Sequence, residues 1–482
     1  MISLLLLLEL LPVVGALAII TSVYFKSLAL KNVPGPSLTR FTKIPLLYQT
    51  IGLNRTRYIH ELHRKYGPLV RLAPDEISIN HPPSVGPLYN YERSHFYNAF
   101  EAFGAKNMFS TPDRAHHSVR RKHLGGEYTK VYMLRPENLS VIYDRVRQMI
   151  HTISDNSTVD VFYLFNYMAQ DIISGFFFGN QYGSHLLQGQ DTEVFHAWHM
   201  RRQTFHWFAE LPNLTKLLYS SGIANFIPGW KEAAKGEQFI NDMTRKWMDK
   251  CDPEKAHLLT KLMKETSLSR DEYSAEVMDH MGAGHETTGT TLTFLIDHLS
   301  KNPEQQQKLH QELLTVDLND FAAVDKLPYL HGVVLETLRL YSSIPASEPR
   351  IVPSGGVTLL DKYTIPASTV ISAQPYSMHR QEEYFERCLE FIPERWNEPP
   401  AKAKTAWMAF GKGTRGCIGQ NIAMVSIKVA VGQLYKTFET RKPDVVPEKE
   451  DMDFKDYYMI TPKADTCSVV FRMVGVDDGK KH

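Results

Sequence analysis

The chain has 482 residues, 54 basic against 53 acidic side chains, 43% apolar and 22% charged residues, and four cysteines. Balanced charge excludes an electrostatic nucleic-acid binder, whose footprint is a basic stripe or a domain pI above about 9, and a disordered chain, which pairs low hydrophobicity with high net charge. Cys251, Cys388, Cys417 and Cys467 are too scattered for a disulfide framework and form no C-x-x-C pair for a zinc ribbon.

In chain order, Ile2 to Phe25 come first and are almost wholly apolar. About 20 such residues span a bilayer core as a helix. No Lys or Arg precedes the run, whereas Lys26 and Lys31 follow it. That flank charge predicts an uncleaved signal anchor with the body on the cytosolic side. Glu9 is costly at depth, which places it near the lumenal interface or protonated. In this orientation the sequons at Asn54, Asn138, Asn156 and Asn213 are expected to stay unused. Pro34-Gly35-Pro36 reads as a stiff hinge, and no second linker, charge block or repeat follows. Length alone suggests about three domains, but the simplest division is an anchor and linker over 1–33 and one domain over 34–482.

Strand-like runs cluster at Leu69-Val70-Arg71-Leu72 and Ile77-Ser78-Ile79, and again at Val357 to Leu360 and Thr369 to Ser372. Helical periodicity dominates from about 115 to 345 and over 419–437. The expected fold class is mainly α with small β regions. Phe195 to Trp230 is rich in aromatic residues, consistent with a pocket lid or with ordinary helix packing. The longest helix is predicted to start at the capping box Ser269-Arg270-Asp271-Glu272 and to end before Asn302-Pro303. Roughly thirty residues at 1.5 Å each make a rod about 45 Å long. Its middle holds Gly282, Gly284 and Gly289 among threonines, each glycine costing about 1 kcal/mol against alanine. Either a flat ligand lies against the backbone there, or a neighbouring helix packs closely. A threonine hydroxyl can also bond the carbonyl one turn back. His285-Glu286 begins like the zinc motif H-E-x-x-H, but position 289 is glycine and the second ligand is missing.

Near the C-terminus, Phe410 to Gly419 runs into a helix predicted over Gln420 to Thr437. Gly411, Gly413 and Gly416 spell G-x-G-x-x-G, with Glu439 where a ribose-binding carboxylate would stand. That fingerprint needs the first turn of a βαβ unit and a parallel sheet beyond it, for which little chain remains. A thiolate at Cys417 would instead meet a helix N-terminus, glycine amides and Arg415 two residues back, the surroundings an anionic sulfur ligand requires.

These residues resemble the cytochrome P450 superfamily. Its haem loop F-x-x-G-x-R-x-C-x-G is matched by Phe410, Gly413, Arg415, Cys417 and Gly419. A-G-x-[DE]-T is matched by Ala283 to Thr287, E-x-x-R by Glu336 to Arg339, P-E-R-[FW] by Pro393 to Trp396, and the helix with His or an aromatic four residues before Arg by His117 and Arg121. The motifs keep the family's order over residues 34 to about 440, and the anchor and hinge resemble its microsomal branch.

The resemblance implies haem b with Cys417 as axial thiolate and metal ligand. It implies Arg121, Arg350 and Arg415 on the propionates with His117 as a further donor, and Phe410 and Gly284 against the cofactor. Glu286 and Thr287 resemble the acid–alcohol pair that delivers protons to bound dioxygen. Glu336, Arg339 and Arg395 resemble a structural charged triad beneath the loop. The function implied is an O2-dependent monooxygenase fed by a membrane NADPH–cytochrome P450 reductase at the endoplasmic reticulum. The alternatives are a haem-thiolate isomerase or dehydratase that uses no O2, and a non-catalytic haem-binding protein. Lys122, Lys412 and Lys428 are either reductase-docking charges or a solvated face. Tyr66 to Glu76 resembles fungal members of secondary metabolism, implying a small apolar substrate of polyketide, terpenoid or alkaloid type. Lys362 and Ser368 depart from the family's glycines around the Tyr363-Thr364-Ile365-Pro366 strand.

Overall fold

In the computed structural model the described residues are 21–475, except 253, 255, 256, 266, 446 and 448. Residues 1–20 of the expected anchor therefore lie outside the described residues. Among those described, no helix is long and apolar enough to cross a membrane.

The helices used below are α1 (Ile44–Ile51), α2 (Arg55–Tyr66), α3 (Arg114–Leu124), α4 (Val161–Phe178), α5 (Glu193–Arg201), α6 (Phe205–Glu210), α7 (Pro212–Ser220), α8 (Trp230–Lys250), α9 (Arg270–Ser300), α10 (Pro328–Leu340) and α11 (Gln420–Thr437). The strands are β1 (Leu69–Ala73), β2 (Glu76–Ile79), β3 (Ser157–Asp160), β4 (Arg350–Ile351), β5 (Val357–Leu359), β6 (Tyr363–Ile365), β7 (Val370–Ser372), β8 (Phe438–Arg441), β9 (Phe454–Tyr457), β10 (Met459–Pro462) and β11 (Ser468–Met473). The fold is mainly helical with four small sheets, ordered β1-β2-β7-β4, β3-β11-β8, β5-β6 and β9-β10.

Every residue of β1 and β2 is buried, so their alternation is hidden and β1 accommodates Arg71 inside the fold. The Arg71 guanidinium donates to the carbonyls of Ser27 (3.4 Å) and Val33 (3.3 Å), and its amide donates to Pro34 (2.7 Å). A Cβ on Gly35 would lie 2.7 Å from the Arg71 carbonyl oxygen. The proline hinge is thus docked on the first sheet. In the β5–β6 hairpin the left-handed conformations fall on Leu360 and Asp361, at φ 54° and 51°, and not on Lys362. Ser368 adopts φ 64°, a conformation glycine takes without steric cost.

Helix α9 crosses the core as 31 residues. Both halves of its capping box form: Glu272 N donates to Ser269 Oγ (3.3 Å) and Ser269 N to Glu272 Oε2 (3.0 Å). It is buried nearly all round, which explains its lack of a polar face.

The strongest polar constraint is at α10. Glu336 and Arg339 have fully buried side chains paired at 2.8 Å. The Glu336 carboxylate accepts from five donors: Arg339 Nε and an Arg339 terminal nitrogen, Arg395 Nε, Trp396 Nε1 and the amide of Ile392, all at 2.8–2.9 Å. Arg339 spends its remaining donors on the carbonyls of His379, Cys388 and Glu390. Removing one partner of such a pair leaves an uncompensated charge. Glu336→Ala is therefore expected to lower unfolding free energy by roughly 3–5 kcal/mol in urea titrations. A loss under about 1 kcal/mol, the range of exposed pairs, would contradict this.

Candidate active site

Between α9 and the loop before α11 lies a cavity of about 290 Å³. Of the expected site residues, His117, Arg121, Gly284, Glu286, Thr287, Phe410, Arg415 and Cys417 line it. Arg350 does not: its guanidinium lies behind the wall, bonded to the Tyr97 hydroxyl (2.8 Å), 3.3 Å from Glu348 Oε2 and 4.4 Å from the Tyr89 ring centre. Its near neighbour Glu348 faces the cavity instead.

The cysteine loop is a short scaffold of backbone bonds. The amides of Gly411 and Cys417 donate to Met408 (2.9 Å) and Phe410 (2.8 Å), and Gly411 and Gly413 take φ 68° and 66°. Of the four cysteines only Cys417 lines the cavity. Burial holds its thiol above the usual range, opposed by the amides of Gly419 and Gln420 and by Arg121. Those amides are the first of α11, so the sulfur meets a helix N-terminus. An ionised sulfur here also calls for a cation on the cavity side, and a coordinating metal deprotonates a thiol outright. Cys467 lies elsewhere, at the start of β11, with its sulfur 3.9 Å from Lys442 and 4.0 Å from Asp297.

Guanidinium groups gather around one side of the site. Arg415 donates to the carbonyls of Thr111 (2.7 Å), Pro112 (2.7 Å) and Asp113 (3.1 Å), and Arg121 to Gly416 (2.7 Å). Burial, with repulsion from Arg93 and Arg350, pushes Arg415 down to about 9. Burial and four arginines push His117 down to about 3, so the imidazole is neutral. The buried Nε atoms of Arg93 and Arg350 have no hydrogen-bond partner. This excess of positive charge is one that an anionic ligand would relieve.

On the opposite wall Glu286 is buried, and burial raises its carboxyl above the ordinary range. The Thr287 hydroxyl donates to the Ala283 carbonyl (2.7 Å), while the Thr287 carbonyl accepts from the hydroxyls of Thr291 (2.8 Å) and Ser343 (2.9 Å). The three glycines of α9 have a packing explanation. A Cβ on Gly282 would lie 2.8 Å from Trp198, on Gly284 2.8 Å from Ile173, and on Gly289 2.6 Å from Asn166. Gly284 lines the cavity through its backbone, yet what a side chain would displace first is α4.

Several expectations need correction or extension. Lys428 is no docking charge, for its buried ammonium bonds Asp325 at 2.9 Å. Lys412 donates to the Thr405 carbonyl, and Lys122 is exposed. The aromatic stretch does form part of the wall, through Trp198, Phe205 and Phe208. The glycine fingerprint has no βαβ unit around it: the one parallel pair among the described residues is β2 with β7, and Glu439 is exposed on β8, antiparallel to β11. His285 Nδ1 donates to Met281 O (3.0 Å) and its ring packs on Trp198, away from any ligand role.

Sequence reasoning missed Arg93, Asp279, Glu348 and His379. His379 bridges Arg339 O (3.0 Å) and the Met408 amide (3.0 Å), so it joins the α10 network to the cysteine loop. It carries no motif, and its partners stand 40 and 29 residues away.

A helical body, a cavity with a single cysteine on one wall, an acid–alcohol pair on the other and a cationic flank define a haem-thiolate enzyme. The chain matches the family Cytochrome P450 over residues 33–468 and belongs to it. Similar proteins include the cytochrome P450 monooxygenase orf2 of Aspergillus niger, 27% identical over 94% of this chain and 96% of that protein. Others are the monooxygenase tazI of Aspergillus terreus, 28% identical over 91% and 93%, and the benzoate 4-monooxygenase bphA of Aspergillus niger, 29% identical over 86% and 89%. The enzyme is a P450 monooxygenase, and its cofactor is haem with an axial cysteine thiolate. The residues present fit that group: a cavity-facing sulfur suits the iron, and the cavity-lining guanidinium groups of Arg93, Arg121 and Arg415, with Arg93 Nε unpaired, suit two propionates.

The packing account of Gly284 is open to test by a double-mutant cycle. Gly284→Ala should destabilise the fold by about 1–3 kcal/mol through overpacking, and Ile173→Ala in the same chain should recover a large part of that loss in thermal unfolding. Additive losses would show that the α4 contact is not what excludes a side chain.

Proposed function

We propose that Cys417 is the axial ligand and that the chain hydroxylates, or otherwise oxidises, a small apolar molecule of secondary-metabolite type with O2 and electrons from NADPH. The observation that carries this reading is that the lone cavity-lining cysteine and the Glu286–Thr287 pair share one cavity. When bound, the haem supplies O2 binding and, through thiolate electron donation, eased O–O cleavage. Overall one oxygen atom enters the substrate and the other leaves as water, with two electrons and two protons consumed. The electrons require a separate NADPH–cytochrome P450 reductase.

The protein's own share is positional. The Gly419 and Gln420 amides and Arg121 hold negative charge at Cys417 Sγ. Arg121 and Arg415, with Arg93 and His117, would receive the propionates. Burial raises the Glu286 carboxyl above the ordinary range, which favours its holding a proton, and the Thr287 hydroxyl can turn from Ala283 O to relay it. Phe100, Phe109, Trp198, Phe205 and Phe208 give the substrate an apolar surround that excludes water. Attachment to the endoplasmic reticulum by the N-terminal segment, with the domain over 34–482 in the cytosol, is supported by exposed apolar side chains. Tyr48 on α1 is 75% exposed and Phe226 beyond α7 88%. Lys43 and Arg55 hold that region together through Glu210 at 2.6–2.7 Å.

In the reduced, carbon monoxide-bound spectrum the wild type should give a thiolate band that Cys417→Ala abolishes. A histidine-type band in the wild type would refute the ligand. With reductase, O2 and substrate, Thr287→Ala should raise NADPH consumed per product several-fold while leaving the spectrum intact. Turnover without reductase or O2 would instead establish an isomerase or dehydratase.

A further inference from the structure

Asp279 is a cavity carboxylate that the chemistry above leaves unused. It lies on α9, faces the cavity, and has no hydrogen-bond or ion-pair partner among the described residues. Its neighbour Glu276, one turn earlier, is by contrast fully engaged, with Arg120 at 2.7 Å and the Met108 amide at 2.9 Å. The nearest cations, Arg93 and Arg201, make no ion pair with it and contact other groups, each keeping an Nε without a hydrogen-bond partner. Arg93 bonds the Phe109 carbonyl and stacks on the Tyr97 and Phe109 rings at 4.3 and 4.1 Å. Arg201 lies 3.8 Å from Glu237 and 5.5 Å from the Trp198 ring centre. Burial, reinforced by Glu276 and opposed by Arg93 and Arg201, pushes Asp279 up to about 8. An uncompensated carboxylate in an apolar cavity is costly, and a positive ligand would remove that cost.

The surrounding rings favour the same ligand. Phe100 stands 4.8 Å from both Phe109 and Phe205, and these rings line the cavity with Trp198 and Phe208. Aromatic faces attract cations and accept apolar bodies. Seven residues separate Asp279 from Glu286, two helical turns, so both project from one stripe of α9. Asp279 stands about 12 Å from Thr287 along the axis at 1.5 Å per residue. Resting on the monooxygenase reading of this cavity, we propose that the substrate carries an amine cation on an apolar body, its charge seated against Asp279 and its reacting carbon about two helical turns away.

The test uses the full haem-loaded chain and three probes: 4-phenylbutyl-trimethylammonium, which cannot ligate iron; its uncharged isostere (5,5-dimethylhexyl)benzene; and 5-phenylpentanoate. Binding is read by the haem absorbance shift and by equilibrium dialysis. The ammonium probe should bind at least about tenfold tighter than the isostere, a difference near 1.4 kcal/mol. Asp279→Asn should erase that preference without weakening the isostere, and Asp279→Glu should restore part of it. Because only ionised Asp279 attracts the cation, wild-type affinity for the ammonium should rise with pH up to about 8 and then level off. Glu237, Glu286, Glu348, His117 and His280 also line the cavity, Glu276 stands one turn earlier on α9, and all persist in Asp279→Asn, so the difference between the two profiles isolates Asp279. The carbon monoxide spectrum is recorded first: a missing thiolate band refutes the haem-thiolate reading. With that band present, equal affinities, a preference that survives Asp279→Asn, or tighter binding of the carboxylate probe overturns the assignment.

Discussion

The Glu336 carboxylate is wholly desolvated, and its five donors come from two separate stretches of chain: α10 itself, and the segment from Ile392 through the short helical turn at Pro393–Trp396. A buried carboxylate tolerates no missing donor, so the position of each stretch is fixed by the other. Arg339 extends the constraint. Its carbonyl receives His379, whose other nitrogen holds the Met408 amide, and the Met408 carbonyl then anchors Gly411. The cysteine loop inherits its place from a salt bridge it never touches. Burial pushes His379 down to about 3, so this relay stays neutral and its geometry does not change across physiological pH.

The cationic flank shows the opposite design. The α10 network is closed upon itself, whereas Arg93, Arg121, Arg350 and Arg415 gather around the cavity with Glu348, the Tyr97 hydroxyl, aromatic faces and backbone carbonyls in reply. Such an arrangement is unstable in isolation and is complemented by an anion. Stability and ligand retention are therefore assigned to different groups of arginines. Arg339 serves the fold, and the flank is left with the positive charge that the proposed propionate contacts would neutralise.

How much of this was legible beforehand depended on whether a feature is local in sequence. The limits of α9 followed from a capping box and an Asn-Pro stop, and α11 from the glycine that ends the cysteine loop, because caps act within three or four residues. The Glu336–Arg339 pair was legible as one turn of helix. Its five-donor saturation was not, since Ile392, Arg395 and Trp396 lie more than fifty residues on. The family resemblance alone placed Arg350 at the propionates, and the fold turns its side chain toward Tyr97 and Glu348. The glycines of α9 illustrate the converse difficulty. Their spacing was conspicuous, but only the approach of Ile173, Asn166 and Trp198 distinguishes packing from ligand clearance.

With the glycines assigned to packing, what α9 offers the cavity is a stripe of polar groups at helical spacing: Asp279, the Ala283 carbonyl, and Glu286 with Thr287. Burial raises both carboxylates, but their surroundings differ. Glu286 lies among the threonines whose hydroxyls already bond backbone carbonyls, where a proton can be passed on. Asp279 lies two turns away, where the same raised carboxyl has no hydrogen-bond partner among the described residues and shares the cavity with the aromatic side chains. One rigid rod therefore fixes the distance between a point that can hold charge and a point that can move protons. In the proposed binding mode that spacing, set by helix geometry alone, would select which carbon of a bound molecule is presented for oxidation.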